Sequence, residues 1–535
     1  MYSLKTLKYL MNETGLSLWK ALNEISKTVL FRKKEGIAGI IRFHAAQEPF
    51  RPAVICGGES MNYSQLFTRA NSLASFLLSR GVAPGDKVAI MAQNCIQLPE
   101  LWTIMNLAKF SAIPLNWRLR RDEIGYILSD SECRNIIYQE HLREEINYSN
   151  IPLKNKIVIG KEARDGEILY DEAVNAGGSA DLSRIAIDPS TIVYTSGTTG
   201  KPKGAHRTTT PHFLLFVASM VYEFGFRHDD IHLVVCPLYH SAPLAFMTLQ
   251  LLIGTTQVVL PKFDPEEMLR AIEKYRVTSI FVVPYMIIEI LNLPDSVIHK
   301  YDLSSLRTVI CAAAPLSAHH KRSFQQRIGR VLYEFYGATE TGINTILKPE
   351  EIEKKAESVG MVCHYNRIKI LDDQKKEVPL NTPGEIYVKN PFIMNGYYRR
   401  SSETEERMHC GYLTVGDVGR IDEDGYLYIL DRKTDMVISG GVNIYPAEIE
   451  DALLKHSAVK FAAVIGVPDQ KWGERLKAFI VKKDKSSVDK NELEIFLRTM
   501  IASFKIPKDW EFVDSLPMTP SGKVLKRELR QQQIK

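Results

Sequence analysis

The chain has 535 residues, 45% hydrophobic and 24% charged, an ordinary globular balance too long for one core, so two or more domains are expected. A net charge of +5 is small for that length and gives no case for a nucleic-acid partner. The seven cysteines are scattered with no Cys-x-x-Cys, which excludes a disulfide or zinc framework and fits reduced thiols in a cytoplasmic protein.

No apolar run approaches the roughly 18 residues of a membrane span, and the N-terminus lacks the features of a signal peptide. Leu18, Leu22, Ile25 and Val29 share a helical face, followed by Arg32-Lys33-Lys34. That pattern fits a helix packed on its own domain, or a weak peripheral membrane contact. From Arg51 strands and helices alternate. Ser64 is positioned to cap a helix with the stripe Leu66, Ala70, Leu73 and Leu77, ended by Gly81. Lys87 to Met91 reads as a strand, the segment up to about Phe110 as a helix, and Ala112 to Leu115 as a second strand. This βαβ rhythm implies a parallel sheet covered by helices and returns at Thr256 to Leu260, Ser279 to Val283 and Thr308 to Cys311.

After about Gly384 the texture changes to short strands and turns, Gly384 to Val388 and Gly425 to Ile429, with a charged break at Asp431-Arg432-Lys433. Pro446 suits the first turn of a helix carrying Ile449, Leu453 and Leu454. Asp489 and Glu492 resemble a capping box for a helix bearing Ile495, Phe496 and Met500. The expected architecture is α/β: a large multi-layer N-terminal domain, residues 1–431, with parallel or mixed sheets, and a small mobile α+β C-terminal domain, residues 432–535.

The stretch Thr195-Ser196-Gly197-Thr198-Thr199-Gly200-Lys201-Pro202-Lys203-Gly204 follows the apolar run Ile192-Val193-Tyr194. Its glycines let backbone N–H groups turn inward around phosphate oxygens, hydroxyls add donors, and Lys201 and Lys203 add charge. The Gly-Lys-Ser/Thr ending of the common P-loop is missing. Four further segments carry chemistry: Tyr336-Gly337-Ala338-Thr339-Glu340-Thr341, Gly416-Asp417-Val418-Gly419, Asp431 to Pro446 with Ser439-Gly440-Gly441, and Pro517-Met518-Thr519-Pro520-Ser521-Gly522-Lys523. Tyr336 can stack a base, Gly337 leaves room for a ligand, Thr339 can donate to phosphate, and Glu340 is a hard oxygen ligand suited to Mg²⁺. The Asp417 carboxylate can accept two ribose hydroxyls.

These motifs, in this order, resemble the adenylate-forming superfamily of acyl-CoA synthetases, luciferases and peptide-synthetase adenylation domains, most of all the fatty-acid and medium-chain acyl-CoA synthetases. The resemblance implies that ATP, Mg²⁺ and a small carboxylic acid form an acyl-adenylate, which CoA then attacks. It assigns phosphate binding to Thr195 through Lys203, and the adenine and acyl wall to Ala312-Ala313-Ala314-Pro315. Nucleotide contacts fall to Tyr336, Gly337, Ala338 and Thr339, the metal to Glu340, ribose to Asp417, and a nucleotide contact to Arg432 beside the hinge. Ser439-Gly440-Gly441 matches the pantetheine tunnel, and His240 in Pro237-Leu238-Tyr239-His240-Ser241 matches the gate at the carboxylate end. Lys523 matches the lysine that bridges substrate carboxylate and α-phosphate, stabilising the adenylation transition state. Rotation of the small domain then exchanges Lys523 for the Gly440-Gly441 face. Two departures stand out: Val415 replaces the usual threonine before Gly416, and Thr434 stands where the family carries Asp or Lys at the hinge. Val283, Tyr285, Met220 and Tyr222 suit either an acid-pocket wall or simple core packing. Glu223 is the sole acid between Met220 and Phe226, where amino-acid-activating domains usually place an Asp. Loading onto another acceptor such as a carrier protein, a luciferase-like oxygenase and a non-catalytic nucleotide-binding regulator are the other readings. Oligomeric state has no signature in the sequence.

Overall fold

The computed structural model describes residues 37–147, 151–179, 182, 185, 187–195, 202–209, 213–439, 442–470, 472–483, 486–519 and 523–533. The N-terminal amphipathic stretch therefore lies outside the described residues, as do Ser196, Gly197, Thr198, Thr199, Gly200, Lys201, Gly440 and Gly441. The fold is mixed α/β, with a large N-terminal region of parallel and mixed sheets and a smaller C-terminal domain. Cα proximity groups the chain into two compact units: Met1–Val282 with Leu293–Ile310 and Pro391–Glu406, and Val283–Asn292 with Cys311–Asn390 and Arg407–Lys535.

In the first unit the βαβ rhythm becomes parallel sheet. Lys87–Met91 pairs in parallel with Ser111–Leu115 on one side and Asn135–Gln139 on the other. The connecting helices Gln97–Leu107 and Arg121–Asp130 bury Leu101, Ile104 and Met105, and Ile124, Ile127 and Leu128. The stripe Leu66, Ala70, Leu73 and Leu77 is buried along the helix Tyr63–Ser79. Its cap differs from expectation. Asn62 accepts from Gln65 N while the Gln65 side chain accepts from Asn62 N, so Ser64 lies one position inside the helix. A second parallel set pairs Pro52–Cys56 and Ile231–Val234 with Thr256–Val259, and Ile231–Val234 with Ser279–Val282. His44, Glu48 and His228 gather ligand-type atoms within 4.8 Å. Arg51 supplies the positive charge there, with Nη1 2.8 Å from His228 Nε2 and 3.3 Å from Glu48 Oε2.

In the second unit antiparallel pairing dominates: Gly384–Lys389 pairs with Arg367–Leu371 and Tyr412–Ile421, and Tyr412–Ile421 with Leu427–Arg432, while Gly473–Lys482 pairs in parallel with Asp509–Phe512. The C-terminal sheet is built on the long hairpin of Val459–Asp469 and Gly473–Lys482. Its side chains alternate between two cores, as period-two strands require. Val459, Ala462, Val464, Leu476, Ala478 and Ile480 face a cluster containing Ile449 and Leu453 of the helix Pro446–Leu454 and Leu493 and Leu497 of the helix Lys490–Arg498. Ala463, Ile465, Val467, Phe479 and Val481 pack with Leu516 and Leu529 on the other face. Asp489 caps Lys490–Arg498 as expected, accepting from Glu492 N at 2.9 Å. The buried stripe is nevertheless Leu493 and Leu497; Ile495 is 67% exposed and Met500 39%.

Candidate active site

The stretch expected to bind phosphate is flanked by two paired strands. Ser190–Thr195 and Lys203–Thr208 pair antiparallel, with Thr195 opposite Lys203. Thr195 Oγ1 reaches Lys203 O at 3.5 Å. Gly204 is dictated by packing, since a Cβ there would lie 2.6 Å from Ile192 Cγ2. Lys203 is held by neighbours outside that stretch. Its ammonium is paired with Glu403 and lies 5.6 Å from the Tyr397 ring centroid, a structural role that the sequence did not signal.

His240 is the N-cap residue of the helix Ser241–Ile253. Its ring centroid lies 4.3 Å from that of Tyr239. His240 Nε2 and Tyr239 Oη are both buried with no hydrogen-bond partner among the described residues. Burial pushes the His240 imidazole down to about 4, so it is neutral at pH 7 and can offer one donor or one acceptor to a polar group brought to it. Of the expected wall residues in this unit, Met220 is buried and Tyr222 is 36% exposed. Glu223 is buried at the end of the helix Phe213–Phe224.

The second unit gathers four of the expected residues. Tyr336 lies on the strand Leu332–Ala338, Asp417 and Arg432 on the paired strands Tyr412–Ile421 and Leu427–Arg432, where they are direct register partners, and Lys523 in the hairpin that follows Leu516. The Tyr336 hydroxyl donates to Asp417 Oδ2 at 2.8 Å, and Arg432 Nε lies 3.2 Å from Asp417 Oδ1. Burial and the Asp417 charge raise the Tyr336 phenol far above its ordinary value, so it remains a donor. Lys523 is set by a tight turn: Lys523 N donates to Thr519 Oγ1 at 3.0 Å and Thr519 N to Lys523 O at 2.8 Å. Burial and the neighbouring Arg432 push the Lys523 ammonium down to about 8, with Asp417 and Asp435 opposing. Arg432 and Lys523 thus bring two cations beside Asp417, donors suited to meeting an anion.

Gly337 is required by backbone packing, because a Cβ there would sit 2.0 Å from Gly342 O. Glu340 and Thr341 are buried just beyond the strand Leu332–Ala338. Ala313 holds φ +78°, a conformation that costs a non-glycine residue energy and marks Ala312 to Pro315 as a constrained turn. Ser439 pairs with Val442 and Gly473 at the edge of the C-terminal sheet.

The segment read as a loosely packed charged break is instead firmly held. Asp431 is still strand and buried, accepting from Arg432 N at 2.7 Å and Ala447 N at 3.1 Å. Burial raises its carboxyl, with Lys526 opposing. Lys526 Nζ lies 2.9 Å from Glu450 Oε1, and Arg530 Nη2 lies 2.8 Å from Asp435 Oδ1. The helix Lys526–Gln533 therefore supplies a cation toward each side of Arg432-Lys433-Thr434. Sequence reading missed Lys526, Glu450 and Arg530; Lys526, three residues after Lys523, was the available signal.

Residues 41–398 match the family profile described as AMP-binding enzyme, and residues 448–523 the AMP-binding enzyme C-terminal domain. The feruloyl-CoA synthase of an Amycolatopsis species is 36% identical over 489 residues, covering 91% of this chain and 96% of the relative. The fatty acid–[acyl-carrier-protein] ligase ScoC of Streptomyces coeruleorubidus is 32% identical over 501 residues, covering 91% and 94%. The crystal structure of ATP-bound MatB from Rhodopseudomonas palustris superposes with a TM-score of 0.83 at 29% identity, covering 92% of this chain and 98% of that one. The chain belongs to the AMP-binding enzyme family, the adenylate-forming superfamily, and is an AMP-forming acid–thiol ligase of that family.

Proposed function

We propose that this protein is an ATP-dependent acyl-CoA synthetase that converts a small carboxylic acid, ATP and CoA into acyl-CoA, AMP and pyrophosphate through an acyl-adenylate. The observation that carries the reading is the convergence of Tyr336, Asp417, Arg432 and Lys523. Asp417 accepts the ribose hydroxyls, while Arg432 and Lys523 face the α-phosphate and the attacking carboxylate. Their charge stabilises the crowded anions of an in-line displacement. Thr195 and the stretch from Ser196 to Lys201 hold the outgoing phosphates. The buried Glu340 carboxylate offers the oxygen donor that Mg²⁺ prefers, and the ion would neutralise phosphate charge. His240, neutral and unpartnered, orients the acid, and Ser439-Gly440-Gly441 lines the path of the thiol arm. We place the boundary between large and small domains at 431/432.

Transfer to a carrier protein is the second reading, favoured by the likeness to a fatty acid–[acyl-carrier-protein] ligase. A non-catalytic regulator has no support, because the charged residues that catalysis needs are gathered together.

The test is pyrophosphate release with ATP and Mg²⁺ across aliphatic acids, benzoate, cinnamates and amino acids, with and without CoA. Turnover that needs one acid class and CoA supports the synthetase. Adenylate formation that CoA does not accelerate supports the carrier-protein reading, and no acid-dependent release overturns both. In Lys523→Ala, acid-dependent adenylation should fall about 10²–10³-fold, while thioester formation from preformed adenylate changes much less.

A further inference from the structure

Lys523 has to be held at the acid and the α-phosphate while adenylation occurs, and in the second unit a single short helix meets the segment that carries it. The helix Pro284–Leu291 presents Tyr285 and Glu289 one turn apart. The strand Val459–Asp469 presents Lys460 and Phe461 to them. Lys460 Nζ lies 3.3 Å from Glu289 Oε1, and the Tyr285 and Phe461 rings stack with centroids 6.5 Å apart at 24°.

Phe461, Met518 and Val524 each pack against the buried cluster of Ala463, Leu516 and Leu529. Met518 and Val524 are bridge partners that close the hairpin holding Lys523. A continuous path of packed side chains thus runs from Tyr285 through Phe461 to the base of the Lys523 turn. Burial raises the Asp451 carboxyl on the helix Pro446–Leu454, with Lys321 opposing. Lys321 is itself buried in a pair with Glu334 and donates to Ala356 O at 2.7 Å and Ser358 O at 3.0 Å.

Resting on the function proposed above, we propose that the helix Pro284–Leu291 is the seat that holds the Lys523 segment in its adenylation arrangement, making Glu289, Lys460 and Phe461 positioning residues for the first half-reaction. The seat begins beside Val283, which suits either an acid-pocket wall or simple core packing. The rotated arrangement used for CoA attack has to break the Lys460–Glu289 and Tyr285–Phe461 contacts, so weakening them selectively handicaps adenylation.

The experiment compares Glu289→Lys, Lys460→Glu, their double swap and Tyr285→Leu. Adenylation is read as acid-dependent ATP–pyrophosphate exchange without CoA, and thioester formation from preformed acyl-adenylate with CoA. Trypsin cleavage at Arg432-Lys433 reads docking without reference to activity. Each charge reversal should lower adenylation about three- to tenfold, leave thioester formation unchanged or faster, and speed hinge cleavage; the swap should restore both. Tyr285→Leu should act in the same direction without altering charge. Equal loss of both half-reactions, or a swap that rescues neither exchange nor proteolysis, overturns the seat. A wild-type chain with no acid-dependent exchange overturns the proposed function and the catalytic role of the seat with it, and the cleavage pattern then shows whether docking exists on its own.

Discussion

The acidity of Lys523 has a kinetic consequence. In the role proposed for it, bridging two anions, its ammonium must be protonated, and burial and Arg432 lower it to about 8 in the free protein. The kcat/KM of adenylation for the acid should therefore fall as pH rises through about 8, since this ratio reports the free enzyme. In Lys523→Arg the limb should vanish from the accessible range, because guanidinium does not deprotonate there. A pH profile of acid-dependent pyrophosphate exchange checks both. Gly337 makes a different prediction. A methyl group placed 2.0 Å from Gly342 O forces two strands apart, so Gly337→Ala should cost about 1–3 kcal/mol, read as a lowered Tm. Motif order was enough to mark Tyr336, Asp417, Arg432 and Lys523 in the sequence. The reason for Gly337 and the Lys203–Glu403 pair were not legible, because each depends on a residue far away along the chain or across a strand.

Secondary elements were legible where periodicity and punctuation agree. Lys87–Met91 and Thr308–Cys311 run as expected, and Pro446 opens its helix. The helix Lys490–Arg498 shows where that reading fails. Its start follows from Asp489, but Leu493 and Leu497 compete with Ile495 and Met500 for the inner face, and only the sheet beneath decides. Leu497→Ala should cost about 2–5 kcal/mol in denaturant unfolding, whereas Ile495→Ala should stay within about 0.5 kcal/mol. A similar ambiguity moved the cap of Tyr63–Ser79 from Ser64 to Asn62, since both residue types can cap and only Asn62 has the extended backbone a cap requires.

For the whole molecule, the alternation of half-reactions proposed above would turn on the charged break at Asp431-Arg432-Lys433, a segment that is well packed. Lys526 faces two carboxylates, the buried Asp431 and the partly buried Glu450, and desolvation raises both. Lys526→Met leaves those acids without their counter-charge and should destabilise the fold by about 3–5 kcal/mol near neutral pH. The sign of its pH dependence follows from the same groups. A raised carboxyl binds its proton more tightly folded than unfolded, so the variant should regain stability as pH falls toward 5, a trend visible in Tm measured from pH 8 to 5. No helix among the described residues is long and apolar enough to cross a membrane. That charge arrangement also sets an order of events at the ribosome. Asp431 and Glu450 emerge well before Lys526, so during synthesis their pocket holds acid without base. Until the helix Lys526–Gln533 arrives, the nascent C-terminal sheet has one open apolar face, where Leu529 belongs, and is a natural client for a chaperone.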